Sequence, residues 1–141
     1  MPNKLLTQMV TGTHEFWYRL TGGLIGGRFG KAPILLLTTT GRKSGRKRTS
    51  PLLYYQDGDN FVVIASFGGS PQHPDWYVNL RANAEVEVQA GRDVKQMVAE
   101  TASSEERARL WPLVTEMYSQ YADYQKRTSR EIPVVILKPE N

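Results

Sequence analysis

The sequence predicts an α+β fold, a small, largely antiparallel barrel or half-barrel with helices attached. Short runs rich in β-branched and aromatic residues recur at strand length from residue 34 onward, as in "ILLLTTT", "TSPLLYY" and "FVVIAS". Turn residues follow them closely, so most strands can pair as hairpins with no helix between them. Helical spacing is confined to the N-terminus, the middle of the chain and the stretch before the last strand.

Residues 3–30 read as one or two short helices ending in a connector with glycines at 22, 23, 26, 27 and 30. Strands follow over 34–40, 49–55 and 61–66, and the turn Asp57-Gly58-Asp59-Asn60 makes a hairpin of the second and third. "PDWYVNLRANA" (74–84) is a short helix. "EVEVQA" alternates charged and apolar residues, and Gly91-Arg92-Asp93 turns it into "VKQMVAE" (94–100). Ser103 with Glu106 forms a capping box for a helix running to about Lys126, and "IPVVILKP" (132–139) closes the count at six strands. With 141 residues the chain is expected to be one domain, an N-terminal helical segment over 1–30 followed by the barrel over 31–141.

Composition narrows the chemistry. There is no cysteine, which excludes disulfides, thiolate metal sites and thiol nucleophiles. The two histidines, His14 and His73, lie in no ligand spacing, so no metal site is expected. Apolar runs are only a few residues long, and no signal peptide is read at the N-terminus, which makes a cytoplasmic protein the expectation. An amphipathic surface helix over residues 4–20, giving peripheral membrane contact, is the alternative to its packing on the barrel.

The charge is uneven. Five of the 18 Lys and Arg fall between Arg42 and Arg48, in "TTGRKSGRKRTSP", whereas the 13 elsewhere nearly balance the 14 Asp and Glu. Gly41 and Gly45 permit a tight return, so Arg42, Lys43 and Arg48 can converge on one anion through charge-assisted bonds. A solvated hairpin tip that blocks edge pairing explains the same residues. The spacing is not that of a phosphate-binding P-loop. A compact anion suits the otherwise balanced chain better than a nucleic acid backbone, which calls for a wider basic face.

In "LWPLVTEMYSQYADYQ", Trp111 and Val114 read as core. Tyr118, Tyr121 and Tyr124 share one sector and can belong to the same core-facing stripe, but their phenols each need a polar partner, which also suits the wall of a pocket for a flat, partly polar ligand. The loop "SFGGSPQHPDWY" (66–77) could be a crossover or a lid meeting a planar ring, and His73 within it reads as a surface side chain.

Three stretches together resemble the deazaflavin-dependent nitroreductase family, split β-barrel (FMN-binding-like) oxidoreductases that use coenzyme F420: residues 35–55, 64–89 and 107–137. They carry, in order, T-T-G-R-K-[ST]-G, P-x-W-Y-x-N-L-x-A-N and Y-x-x-Y-x-x-Y. The resemblance implies that Arg42, Lys43 and Ser44, helped by Arg48, grip the phosphate and acidic tail of F420. It implies that Pro51, Ser66 and Trp76 lie beside the tricyclic ring, with Phe67 and Gly68 in the same cofactor-binding loop. Tyr118, Tyr121 and Tyr124 would face the substrate side, with Tyr118 and Tyr121 favoured as donors or orienting groups. Some relatives carry a lysine where this chain has Phe67, so one contact to the tail would be lost unless Arg46 or Lys47 replaces it. The implied reaction is hydride transfer from the reduced deazaflavin to a small electron-poor acceptor: a quinone, a nitroaromatic such as a nitroimidazole, or a conjugated enone. FMN is the alternative cofactor, and a non-enzymatic anion or nucleic-acid binder is the alternative class. The chain would be a monomer or a homodimer.

Overall fold

The computed structural model describes residues 28–29 and 32–140. Among the described residues, eight strands run in chain order: β1 (Arg28–Phe29), β2 (Ala32–Thr40), β3 (Lys47–Leu53), β4 (Tyr55–Asp57), β5 (Asn60–Ile64), β6 (Glu85–Ala90), β7 (Asp93–Thr101) and β8 (Val134–Pro139). They form one sheet in the order β1-β2-β6-β7-β8-β5-β4, with β3 also on β2, and every pairing is antiparallel. A single 3-10 turn (Phe67–Gly69) leads towards helix α1 (Asp75–Ala82), and α2 (Ser104–Met117) and α3 (Gln120–Lys126) precede β8.

The sheet has two strands more than the six expected. One is the two-residue β1, in the stretch read as a glycine connector. The other arises because the run 49–55 breaks at Tyr54, whose N–H donates to the carbonyl of Pro33 (3.1 Å), so β3 stays on β2 while β4 pairs with β5. The predicted β4–β5 hairpin is present, closed at Asp57↔Asn60 with Gly58 in the left-handed region (φ 60°). The expected N-terminal helices lie outside the described residues.

Alternation along the strands makes two cores. Phe61 and Val63 of β5 and Val135 and Leu137 of β8 face inward, where they meet Leu35, Leu37, Val86, Val88 and Met97. Trp76, Tyr77 and Leu80 of α1 join that cluster. The alternate residues Val62, Ile64, Val134 and Ile136 face outward and are covered by Leu110 and Val114 of α2, Tyr121 of α3 and Ile132. A strand covered on both faces must be apolar throughout, which is why β8 reads "VVIL" without a polar partner face.

The capping box is formed: the Ser103 hydroxyl accepts from the Glu106 N–H (3.2 Å), and the Glu106 carboxylate accepts from the Ser103 N–H (3.0 Å). That backbone bond holds the Glu106 carboxyl below its usual range. The single helix expected to reach Lys126 is instead two. Tyr118 caps α2 in an extended conformation (φ −143°, ψ 95°), and α3 restarts at Gln120. Arg109 of α2 grips Asp57 of β4 through two bonds of 2.8 and 3.2 Å, which fixes the helix against the hairpin.

Candidate functional site

A cleft of about 330 Å³ opens beside the break between α2 and α3. Its apolar floor comes from β3 and β5, with Pro51, Leu52, Leu53 and Ile64. One wall is Ser66, Phe67 and Gly68, and a second is Pro74 and Trp76 at the start of α1. Tyr118, Tyr121 and Tyr124 complete the lining. Eight residues picked out from sequence therefore meet in one place: Pro51, Ser66, Phe67, Gly68, Trp76 and the three tyrosines.

The helix break brings those tyrosines together. The Tyr118 and Tyr121 rings meet edge to face at 4.9 Å, and Tyr124 lies 6.5 and 6.4 Å from them. Their environments differ. Tyr121 is only 5% exposed and belongs to the outer core, and burial drives its phenol pKa far up. Tyr118 and Tyr124 are half-buried, each hydroxyl 3.0 Å from the side-chain oxygen of Gln120 and 3.5 Å from the other, so their two protons are shared among these oxygens. The hydrogen bond with Tyr124, aided by burial, pushes the Tyr118 pKa up to about 12. A phenol held this firmly neutral can give a hydrogen bond, and eventually a proton, to an oxygen that gains negative charge. Gln120 escaped the sequence reading because an exposed glutamine at a helix start carries no signal of its own.

The wall opposite is shaped by backbone. Phe67 has φ 45°, and Gly68 and Gly69 follow at 63° and 80°. A side chain on Gly69 would come within 2.7 Å of the Tyr124 carbonyl oxygen, so the 3-10 turn rests directly on α3. Phe67 is 58% exposed at the cleft mouth.

The cationic turn stands between β2 and β3. Gly41 N–H donates to the Arg46 carbonyl (2.7 Å) and Gly45 N–H to the Gly41 carbonyl (2.8 Å), with Gly45 in the left-handed region at φ 72°. The Ser44 hydroxyl is engaged within the turn, accepting from the Arg46 N–H (3.1 Å). Arg42 is docked on α1: its N–H and guanidinium both donate to the buried Asn79 (3.2 and 2.8 Å), and Asp75 lies 3.6 Å away. Lys43, Arg46 and Arg48 are exposed, and no carboxylate among the described residues pairs with them. Lys47 instead donates to Thr40 (3.0 Å) and lines a separate groove with Thr38, Thr49, Glu85 and Glu87. None of the turn's residues lines the aromatic cleft. The two are joined through α1, which places Trp76 in the cleft and holds Arg42 through Asn79 one turn later.

The arrangement suits a ligand with a flat, partly polar head and an anionic appendage. The floor is apolar, three aromatic rings and an indole surround it, and small residues at Ser66 and Gly68 let a ring approach the backbone. His73 lies outside the cleft lining, half-buried against Tyr77 with ring centroids 4.9 Å apart, and its Nδ1 contacts Arg130 at 3.2 Å. Burial, reinforced by Arg130 and Arg81, holds its pKa below the ordinary value.

Residues 11–139 match the family described as F420H(2)-dependent quinone reductase. An F420H(2)-dependent quinone reductase of Mycobacterium tuberculosis is 45% identical over 128 residues, spanning 88% of this chain and 86% of the relative. A solved F420-H2 dependent reductase is 46% identical with a TM-score of 0.70, over 75% of this chain and 94% of the other. A second structure, titled a domain-swapped dimer, is 40% identical with a TM-score of 0.72, over 94% and 98% of the two chains. The haem storage protein HutZ of Vibrio cholerae, 16% identical with a TM-score of 0.59 over 77% and 82%, shares the split-barrel fold alone.

Proposed function

The chain belongs to the F420H(2)-dependent quinone reductase family and is an F420-dependent oxidoreductase, and on that premise we propose how its cleft and its cationic turn divide the work. The reduced deazaflavin, when bound, supplies a hydride from its central ring carbon to an electron-poor acceptor. Lys43, Arg48 and Arg42 hold the anionic tail, with the Gly41–Gly45 backbone keeping them on one turn. Arg42 contributes less than its charge suggests, since Asn79 and Asp75 already engage it. Ser44 contributes through its place in the turn, its hydroxyl being engaged by Arg46 N–H. Pro51, Ser66, Phe67, Gly68 and Trp76 confine the ring system and exclude water from it.

Tyr118 is the proton-side group. Its phenol is neutral, lies in the lining and shares one acceptor with Tyr124, so it can turn from Gln120 to an acceptor oxygen without leaving Gln120 unpartnered. Tyr124 supports it, and the buried Tyr121 acts as packing behind the pair. Quinones, nitroaromatics and conjugated enones all develop negative charge on an oxygen during reduction, which is the chemistry this pair stabilises. The observation that carries this reading is the junction through α1, where one short helix holds both an aromatic wall of the cleft and the base of the cationic turn.

The domain-swapped form of one relative supports a homodimer as the solution state, which sedimentation would show. No helix among the described residues is long and apolar enough to cross a membrane. Titration with F420, FMN and a DNA oligomer, followed by tryptophan fluorescence, tests the assignment. Tight binding of F420 alone, weakened by Lys43→Ala with Arg48→Ala, is expected. Preference for FMN or DNA overturns it.

A further inference from the structure

Arg130 lies in the connection between α3 and β8 and takes no part in the chemistry above. Its guanidinium reaches back some sixty residues in sequence to the cleft wall. Nε donates to the Ser70 carbonyl (2.8 Å), Nη2 to the Ser66 carbonyl (2.8 Å) and Nη1 to the Ala65 carbonyl (3.2 Å). Nη1 also meets Nδ1 of His73 at 3.2 Å. Because an arginine N–H only donates, that nitrogen must accept, which makes His73 neutral with its proton on Nε2. No partner of Arg130 among the described residues is a carboxylate.

The clamp is itself anchored. The Arg130 carbonyl accepts from Gln125 Nε2 (2.7 Å), and Gln125 Oε1 accepts from Ile132 N–H (2.8 Å) and from Arg107 of α2 (3.1 Å). The guanidinium therefore projects from backbone already fixed to two helices.

What it grips is a strained element. Phe67 occupies left-handed backbone, unfavourable for a bulky residue, and its ring remains mostly exposed. Ring burial does not recover that cost, so the conformation must be imposed by the neighbours. Arg130 holds the carbonyls on both sides of it, and Gly69 sits against Tyr124.

We propose that Arg130 is a positioning residue of the reductase, holding the turn from Ala65 to Ser70 so that Phe67 is displayed at the cleft mouth as an apolar contact for the flat ligand. The role rests on the function proposed above. A lysine keeps the charge but offers no planar fork to span three carbonyls and a ring nitrogen.

Hydrogen exchange of the ligand-free protein, F420 titration and steady-state reduction of a soluble quinone test this on Arg130→Lys, Arg130→Ala and Phe67→Gly. For both Arg130 variants, protection of the Gly69 and Ser70 amides should fall about tenfold or more, with β5 and β8 unchanged. The F420 dissociation constant should rise by a similar factor, and millimolar guanidinium should recover part of it for Arg130→Ala but not for Arg130→Lys. Phe67→Gly, which relieves the strain, should weaken binding of F420 or raise the quinone KM without lowering Tm.

Unchanged exchange and affinity would overturn the proposal. So would loss of protection spread evenly over the molecule with no rescue, or Phe67→Gly binding both ligands as well as the parent. Failure of the parent protein to bind F420 would instead overturn the function, leaving the exchange measurement to decide the clamp.

Discussion

The Tyr118 phenol is the side chain on which the reaction reading turns. Held neutral by Tyr124 and by burial, with a pKa of about 12, it should still be protonated where an exposed tyrosine has ionised. Tyr118→Phe is expected to lower kcat by about ten- to a hundredfold while leaving the F420 dissociation constant within about twofold. Equal losses in both would place the hydroxyl in the cofactor site. His73 gives a pH prediction. Its folded pKa lies below the ordinary 6.5, so the unfolded chain binds the proton more readily. Stability is therefore highest above that value and falls as pH drops through it towards the folded pKa. Thermal melts between pH 7.5 and 5 should show the decline, and His73→Gln should flatten it. Neither partnership was legible beforehand: the tyrosine spacing was visible, but Gln120 and Arg130 act through a shared acceptor and through backbone carbonyls, which leave no pattern in composition or periodicity.

At the scale of elements, the decisive contacts are those that hold irregular backbone in place. Gly69→Ala meets both a backbone oxygen at 2.7 Å and a φ of 80°, so it should cost about 1–3 kcal/mol and loosen the turn from α3. Ser103→Ala removes one half of the capping box and should cost about 1 kcal/mol in urea unfolding, with F420 binding unchanged. The capping box, the longer strands and the β4–β5 hairpin were readable because each is written in adjacent residues with a fixed period or turn chemistry, whereas the two-residue β1 and the break at Tyr54 were not. The break between α2 and α3 was not. "YSQ" contains neither glycine nor proline, and Pro112 does not end α2. What interrupts the helix is the gain from packing three rings together beside the sheet, a tertiary effect that local propensity does not encode.

For the whole molecule, the separation of an exposed cationic turn from an apolar cleft predicts two different responses to salt. Lys43 and Arg48 are solvent-exposed, so the tail contacts proposed for them will be screened, since the Debye length is about 10 Å at 0.1 M salt and about 3 Å at 1 M. F420 affinity should therefore fall severalfold across that range, whereas the KM for an uncharged quinone should hardly move. A parallel loss in both would mean that the turn also governs acceptor entry. The antiparallel half-barrel was legible from hairpin spacing, although two short strands were missed, and its split-barrel character followed from the family resemblance. The joint between turn and cleft was not, because it depends on Arg42 finding Asn79 across 37 positions.

Gly69 lies so near the Tyr124 carbonyl that nothing but a hydrogen fits between the turn and α3. The loop bearing Phe67 and the helix bearing Tyr124 are consequently packed together as one jaw. Bulkier acceptors can be admitted by trimming side chains that hang from that jaw, whereas remodelling either half of its spine alone would dislodge the other.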